Sequence, residues 1–137
     1  MPRRRSPEVL RFRRVAAKRL EEARWLLEGQ HFTAATYPGY AVECSLKAVL
    51  LASVPSGEVR EVTQRFRGNL GHDFEWLVSQ IRRSHSVSVS SEFRRELTMV
   101  DHWTTDLRYD PREQIEGEAR RFLTSAAILV QWADERC

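Results

Sequence analysis

Residues 41–51 read Ala-Val-Glu-Cys-Ser-Leu-Lys-Ala-Val-Leu-Leu, an apolar run interrupted by one acid and one base four positions apart. That run limits the fold more than any other stretch of the chain. Ala34, Tyr37, Ala41, Cys44, Ala48 and Leu51 recur at helical spacing, and Leu46, Val49 and Leu50 widen the stripe. The spacing predicts a helix opening at Thr33 and more buried than any other, with a kink rather than a break at Pro38-Gly39. Glu43 precedes Lys47 by four residues, the favourable order on a helix. Charges in such surroundings must be paired or solvated. Glu43 and Lys47 are therefore read as a structural polar pair that orients neighbouring helices, in preference to a pocket-lining or seam role.

A second informative segment, Gly71-His-Asp-Phe-Glu-Trp-Leu77, reads as a helix start. Asp73 is its N-cap, His72 anchors the turn in preference to acting as a general base, and Phe74 and Leu77 share a face of a helix running to Arg82. The rest of the chain is also helical in pattern. Ser6-Pro7-Glu8 opens a first helix with Ser as cap and Pro at its first position, and Leu10, Ala16, Leu20, Ala23 and Leu27 follow at helical spacing to Gly29. Glu58 to Phe66 makes a short helix, and Ser84 to Ser90 a loop. Ser90 or Ser91 caps a helix through about His102, and Thr104 to Arg112 is irregular. A last helix starts near Arg112 and carries Ile115, Ala119, Phe122, Ala126, Leu129 and Ala133. Trp25, Trp76, Trp103 and Trp132 fall on or beside these helices as core or dimer-seam residues. Long amphipathic helices with no pair of strands make an all-α fold, an antiparallel four- to five-helix bundle.

At 137 residues the chain is a single domain, 1–137, whose core needs no metal or disulfide. No apolar run is long enough to span a membrane, and the basic N-terminus lacks the apolar stretch of a secretory signal. Cys44 and Cys137 read as free thiols in a reducing cytoplasm. The His residues show no ligand spacing, so neither a metal nor another cofactor is implied. Net charge is only +3, yet residues 1–19 hold eight bases against Glu8 alone, a balance of +7, while the other 118 balance at −4. Residues 1–6 form a basic, flexible arm. Arg3, Arg4 and Arg5, with Arg11, Arg13 and Arg14, either track a nucleic-acid backbone, meet an acidic protein, or remain a solvated terminus.

In order and spacing these segments resemble the HEPN superfamily, small helical bundles that accompany nucleotidyltransferases or act as ribonucleases in bacterial conflict systems. The resemblance rests on Ala16-x-x-x-Leu-x-x-Ala-x-x-Leu-Leu27, Gln30-His-Phe-Thr-Ala-Ala35 and Ala41-x-Glu43-x-x-Leu46-Lys47-Ala48. It continues through Gly71-His72-Asp73, Trp103-x-x-Asp-Leu-Arg108-Tyr109-Asp-Pro111 and the closing helix. It implies a HEPN-like bundle that homodimerises and engages a nucleotidyltransferase-type protein, a nucleotide or RNA. Family ribonucleases carry an Arg followed, after four to six residues, by a His. Arg108 matches that Arg and is the candidate catalytic residue, but Glu113, Gln114 and Ile115 occupy the places of the His. A glutamate there can accept a proton, yet its charge repels the phosphate it must approach. The expectation is a non-catalytic binding or regulatory module of a conflict or toxin–antitoxin-like system. The alternative is a metal-independent endoribonuclease that uses Arg108. Arg108, Tyr109 and Arg112 are the loop candidates for RNA or ligand contact, beside a helix N-terminus that favours anions. The competing reading has Arg108 bonded to loop carbonyls and Tyr109 packed on the bundle.

Overall fold

The computed structural model describes residues 6–36, 39–84, 88–106, 111–112 and 115–137, with the backbone alone described for 102–106. Among the described residues, seven α-helical segments run α1 (Pro7–Glu28), α2 (Phe32–Thr36), α3 (Tyr40–Ser53), α4 (Val59–Arg65), α5 (Phe74–Arg83), α6 (Ser91–Asp106) and α7 (Glu116–Asp134). Short 3-10 turns at Ser56–Glu58 and Asn69–His72 precede α4 and α5, and no strand is present among the described residues. The five longer helices are those the periodicity predicts. Of the expected kink at Pro38-Gly39, position 38 lies outside the described residues and Gly39 stands at the N-cap of α3, with separate helical segments on either side.

Helix boundaries follow local chemistry. Ser6 takes an extended backbone and its hydroxyl accepts from the Val9 N–H at 3.3 Å, with Pro7 where a missing donor costs nothing. Asp73 caps α5 by accepting from the Trp76 N–H at 3.2 Å, and Ser90 caps α6 by accepting from the Phe93 N–H at 3.1 Å. At the end of α1 the sequence singles out Gly29, but Gly29 keeps φ −78° and Gln30 takes the left-handed position at φ 64°. The His31 N–H then reaches the Leu26 carbonyl at 2.9 Å and the Gln30 N–H the Leu27 carbonyl at 3.0 Å. Those bonds satisfy the carbonyls that the last turn leaves over, which outweighs the cost of a left-handed glutamine.

Two boundaries differ from expectation. Helix α6 continues to Asp106 rather than stopping near His102, because nothing between Trp103 and Asp106 breaks a helix. Helix α7 starts at Glu116, not near Arg112. Ile115 keeps extended φ/ψ of −81° and 156°, and its carbonyl accepts the first helical bond from Ala119 at 3.1 Å. The acids Glu116 and Glu118 then occupy the first turn, where the helix dipole favours them. Ile115, expected on the apolar stripe, is 64 % exposed.

Helix α3 is the spine. Every residue from Ala41 to Leu51 is buried, and α1, α5 and α7 pack around it. A helix apolar all round must be enclosed on all sides, and its own chain encloses this one. Helix α6 packs on α7, with Phe93 and Trp132 in tilted contact at 4.2 Å between ring centroids. Phe12, Phe66 and Trp76 form an edge-to-face chain, at 5.8 Å and 6.4 Å, that ties α1, the end of α4 and α5 together. Trp25 lies outside the core and stands 70 % exposed on α1, which leaves the seam half of the expectation open. None of the helices among the described residues is long and apolar enough to cross a membrane.

Candidate functional site

The paired charges of α3 lie where α1, α3, α4 and α5 converge. Lys47 Nζ donates to Glu43 Oε2 at 3.0 Å, and both residues are buried. The second carboxylate oxygen, Oε1, lies 2.9 Å from Nδ1 of His72. A carboxylate only accepts, so Nδ1 carries the proton of this bond. The ammonium also faces two aromatic rings, with centroids of Phe66 at 5.2 Å and Phe12 at 5.8 Å. The ion pair read from the sequence is therefore a three-residue node. A buried carboxylate with one lysine still has an oxygen to satisfy, and the Gly71-His72-Asp73 turn supplies the donor.

Each residue of that turn has a separate task. Asp73 caps α5 and His72 holds the turn to α3. Gly71 is there because a Cβ would stand 2.1 Å from the Phe66 carbonyl oxygen and 2.7 Å from its carbon. The obstacle is backbone, so it cannot rotate away. Gly71→Ala is expected to cost about 2–3 kcal/mol of stability. Gly57→Ala, with nothing within 4 Å of its Cβ, stays within about 0.5 kcal/mol in the same urea titration.

At the Glu43–Lys47 pair the node is closed. Both oxygens of Glu43 are occupied. No buried side-chain nitrogen or oxygen among the described residues lacks a hydrogen-bond partner. His72 differs: with its Nδ1–H given to Glu43 and its imidazole 62 % exposed, Nε2 keeps a lone pair that a bound molecule can reach.

Cys44 stands beside the node, and burial together with the neighbouring Glu43 charge pushes its thiol up to about 11. Thiolate is the reactive form, so Cys44 is expected to resist a thiol-titrating reagent at neutral pH while Cys137, only half-buried, reacts. Unfolding should expose both thiols, which a count with and without denaturant checks. In the unfolded chain the proton leaves near pH 9.0 and in the folded chain near 11, so the contribution of protonated Cys44 to stability is complete below pH 9.0 and lost as pH rises toward 11.

The candidate ligand residues are distributed differently. Arg3, Arg4, Arg5, Arg108 and Tyr109, with positions 113–114, lie outside the described residues. Arg112 is described and exposed. The helix end expected to attract an anion is already supplied with negative charge. Glu116 and Glu118 stand in the first turn of α7, and Arg120 closes back on Glu116 at 2.7 Å. Arg13, within α1, pairs with Asp134 at the end of α7 at 3.3 Å. Arg11, Arg14 and Lys18 remain exposed along the first half of α1. No group of three or more His, Cys, Asp or Glu among the described residues is arranged to hold a metal.

Comparison with known families gives one match, the HEPN domain, over residues 9–136. Neither a curated protein nor a solved structure matches significantly. The matched span begins in the first turns of α1 and ends two residues past α7, so it takes in the whole bundle, the Glu43–Lys47–His72 node and the Arg108 segment. This chain belongs to the HEPN domain family.

Proposed function

We propose that this chain is a non-catalytic HEPN protein: a cytoplasmic, homodimeric binding or regulatory module of a bacterial conflict or toxin–antitoxin-like system. Its partner is a nucleotidyltransferase-type protein, a nucleotide or RNA. The observation that carries this reading is the sequence after Arg108. The places where family ribonucleases set their His hold Glu113, Gln114 and Ile115. A ribonuclease of this kind pairs a cation that stabilises charge on the phosphate with a group that moves the proton. Here the cation is kept and its partner is missing. The acids in the first turn of α7 add to the argument, because they oppose an approaching phosphate.

Apolar surface for the dimer is limited among the described residues. The stripe of α3 is consumed inside the protomer, and the exposed apolar groups left for a partner include Trp25, Ile115 and Ile128. The retained Arg108 keeps a second reading in play, a metal-independent endoribonuclease with Arg108 as transition-state stabiliser and another residue in place of the His. Restoring the missing group separates the two. Gln114→His or Glu113→His is expected to introduce RNA cleavage that a further Arg108→Ala removes. A histidine variant no more active than an already active parent would count against the non-catalytic reading.

A further inference from the structure

The first half of α1 and the turn at Ser56 enclose a groove of about 720 Å³, and its lining joins two cations to apolar side chains. Arg11, Arg14 and Ser56 line it together with Leu10 and Val15. Among the described residues no carboxylate lines it. The neighbouring Glu58 belongs instead to a separate depression with Arg65 and Arg83. The larger groove between α1, α6 and α7 mixes Glu28, Glu92 and Glu135 with Arg24 and Arg120, so it offers no uninterrupted cationic row.

Positions 11, 14 and 18 fall within one narrow arc of a straight 22-residue helix. At ~1.5 Å rise per residue their charges are spaced by ~4.5 and ~6 Å along the axis. All three are exposed, and neither Arg14 nor Lys18 forms an ion pair among the described residues. Arg11 rests 5.3 Å from the ring centroid of Phe12, which leaves its guanidinium donors available. Leu10, a large apolar side chain at 36 % exposure, sits among these cations. Three cations in a row beside uncovered apolar surface match a polymer that alternates phosphates with flat apolar faces.

We propose that this groove binds single-stranded nucleic acid, with Arg11 and Arg14 on successive phosphates, Ser56 donating to a phosphate oxygen and Lys18 continuing the line. A base or ribose covers Leu10 and Val15. The site rests on the RNA arm of the module reading and adds where the strand is held; it is separable from Arg108, because the site is measured by binding and cleavage by product.

The experiment uses the full chain and a short fluorescent oligouridylate, with anisotropy followed from ~50 to ~200 mM salt. Arg11→Gln with Arg14→Gln should weaken binding about tenfold or more at low salt. The same pair should flatten the log–log salt slope by about 1.4, since each lost phosphate contact removes ~0.7 for a single strand. Arg60→Gln with Arg67→Gln removes equal charge from exposed positions elsewhere and should change affinity less than about twofold. Both double variants should melt with the parent, because every changed side chain is exposed. Unchanged affinity in the Arg11/Arg14 variant, or an equal loss in the two variants, overturns the site. So does competition by polyglutamate as effective, charge for charge, as by the oligonucleotide, which would make the surface one for an acidic protein.

Discussion

Glu43→Ala is expected to destabilise the protein by about 3–5 kcal/mol, the usual cost of leaving one buried charge without its partner. In a chain of this size that lowers the melting temperature by roughly 10 °C or more. The reason is local. Lys47 sits beside Glu43 within the bundle, 3.0 Å away and almost inaccessible, and its other neighbours include the rings of Phe12 and Phe66. Those rings attract a cation, but by only ~0.5–2 kcal/mol, too little to replace a carboxylate. His72 would lose its acceptor in the same variant, which loosens the turn before α5.

The double replacement Glu43→Leu with Lys47→Leu removes the stranded charge and is expected to recover most of the loss, since a buried pair costs nearly as much to desolvate as it returns. His72→Ala should cost less, about 1 kcal/mol, because its imidazole is 62 % exposed and the bond competes with water. That ordering, with Glu43→Ala worst, His72→Ala mild and the double variant near the parent, is read from urea midpoints. A Glu43→Ala protein as stable as the parent would mean that Lys47 reaches solvent, and the closed node would be wrong.

What the sequence reveals about this chain depends on how local each determinant is. The caps at Ser6 and Asp73 and the choice of serine before α6 follow from a few consecutive residues, and the structure has all three bonds in place. The burial of α3 follows from composition alone, because no face of Ala41–Leu51 is polar enough to meet water. The start of α7 is harder to read. Residues 112–115 contain no Ser, Thr, Asp or Asn to mark a cap, and the boundary is set by the extended backbone of Ile115. The His72–Glu43 bond spans 29 positions, and no periodicity reports it. The signal was present all the same, in a carboxylate with one oxygen left over and a histidine at the next helix start. Arg13 shows the opposite error. It belongs to a basic run by sequence, and the helix turns it toward Asp134, 121 residues away. The Arg108 segment rests on sequence, since Arg108 and Tyr109 lie outside the described residues.

That segment is where the functional account is most exposed. Losing a general acid or base typically forfeits ~10²–10⁴ in rate. A chain that keeps Arg108 but offers Glu, Gln and Ile in place of the His should fall by that factor, to a level at which the guanidinium has no reaction to assist. The deciding measurement is cleavage of a structured RNA by the unmodified full chain, with a chelator present and Arg108→Ala alongside. The account predicts that the two proteins give the same trace of product, no more than buffer. Efficient cleavage by the parent that disappears in Arg108→Ala would contradict it and establish the endoribonuclease reading instead.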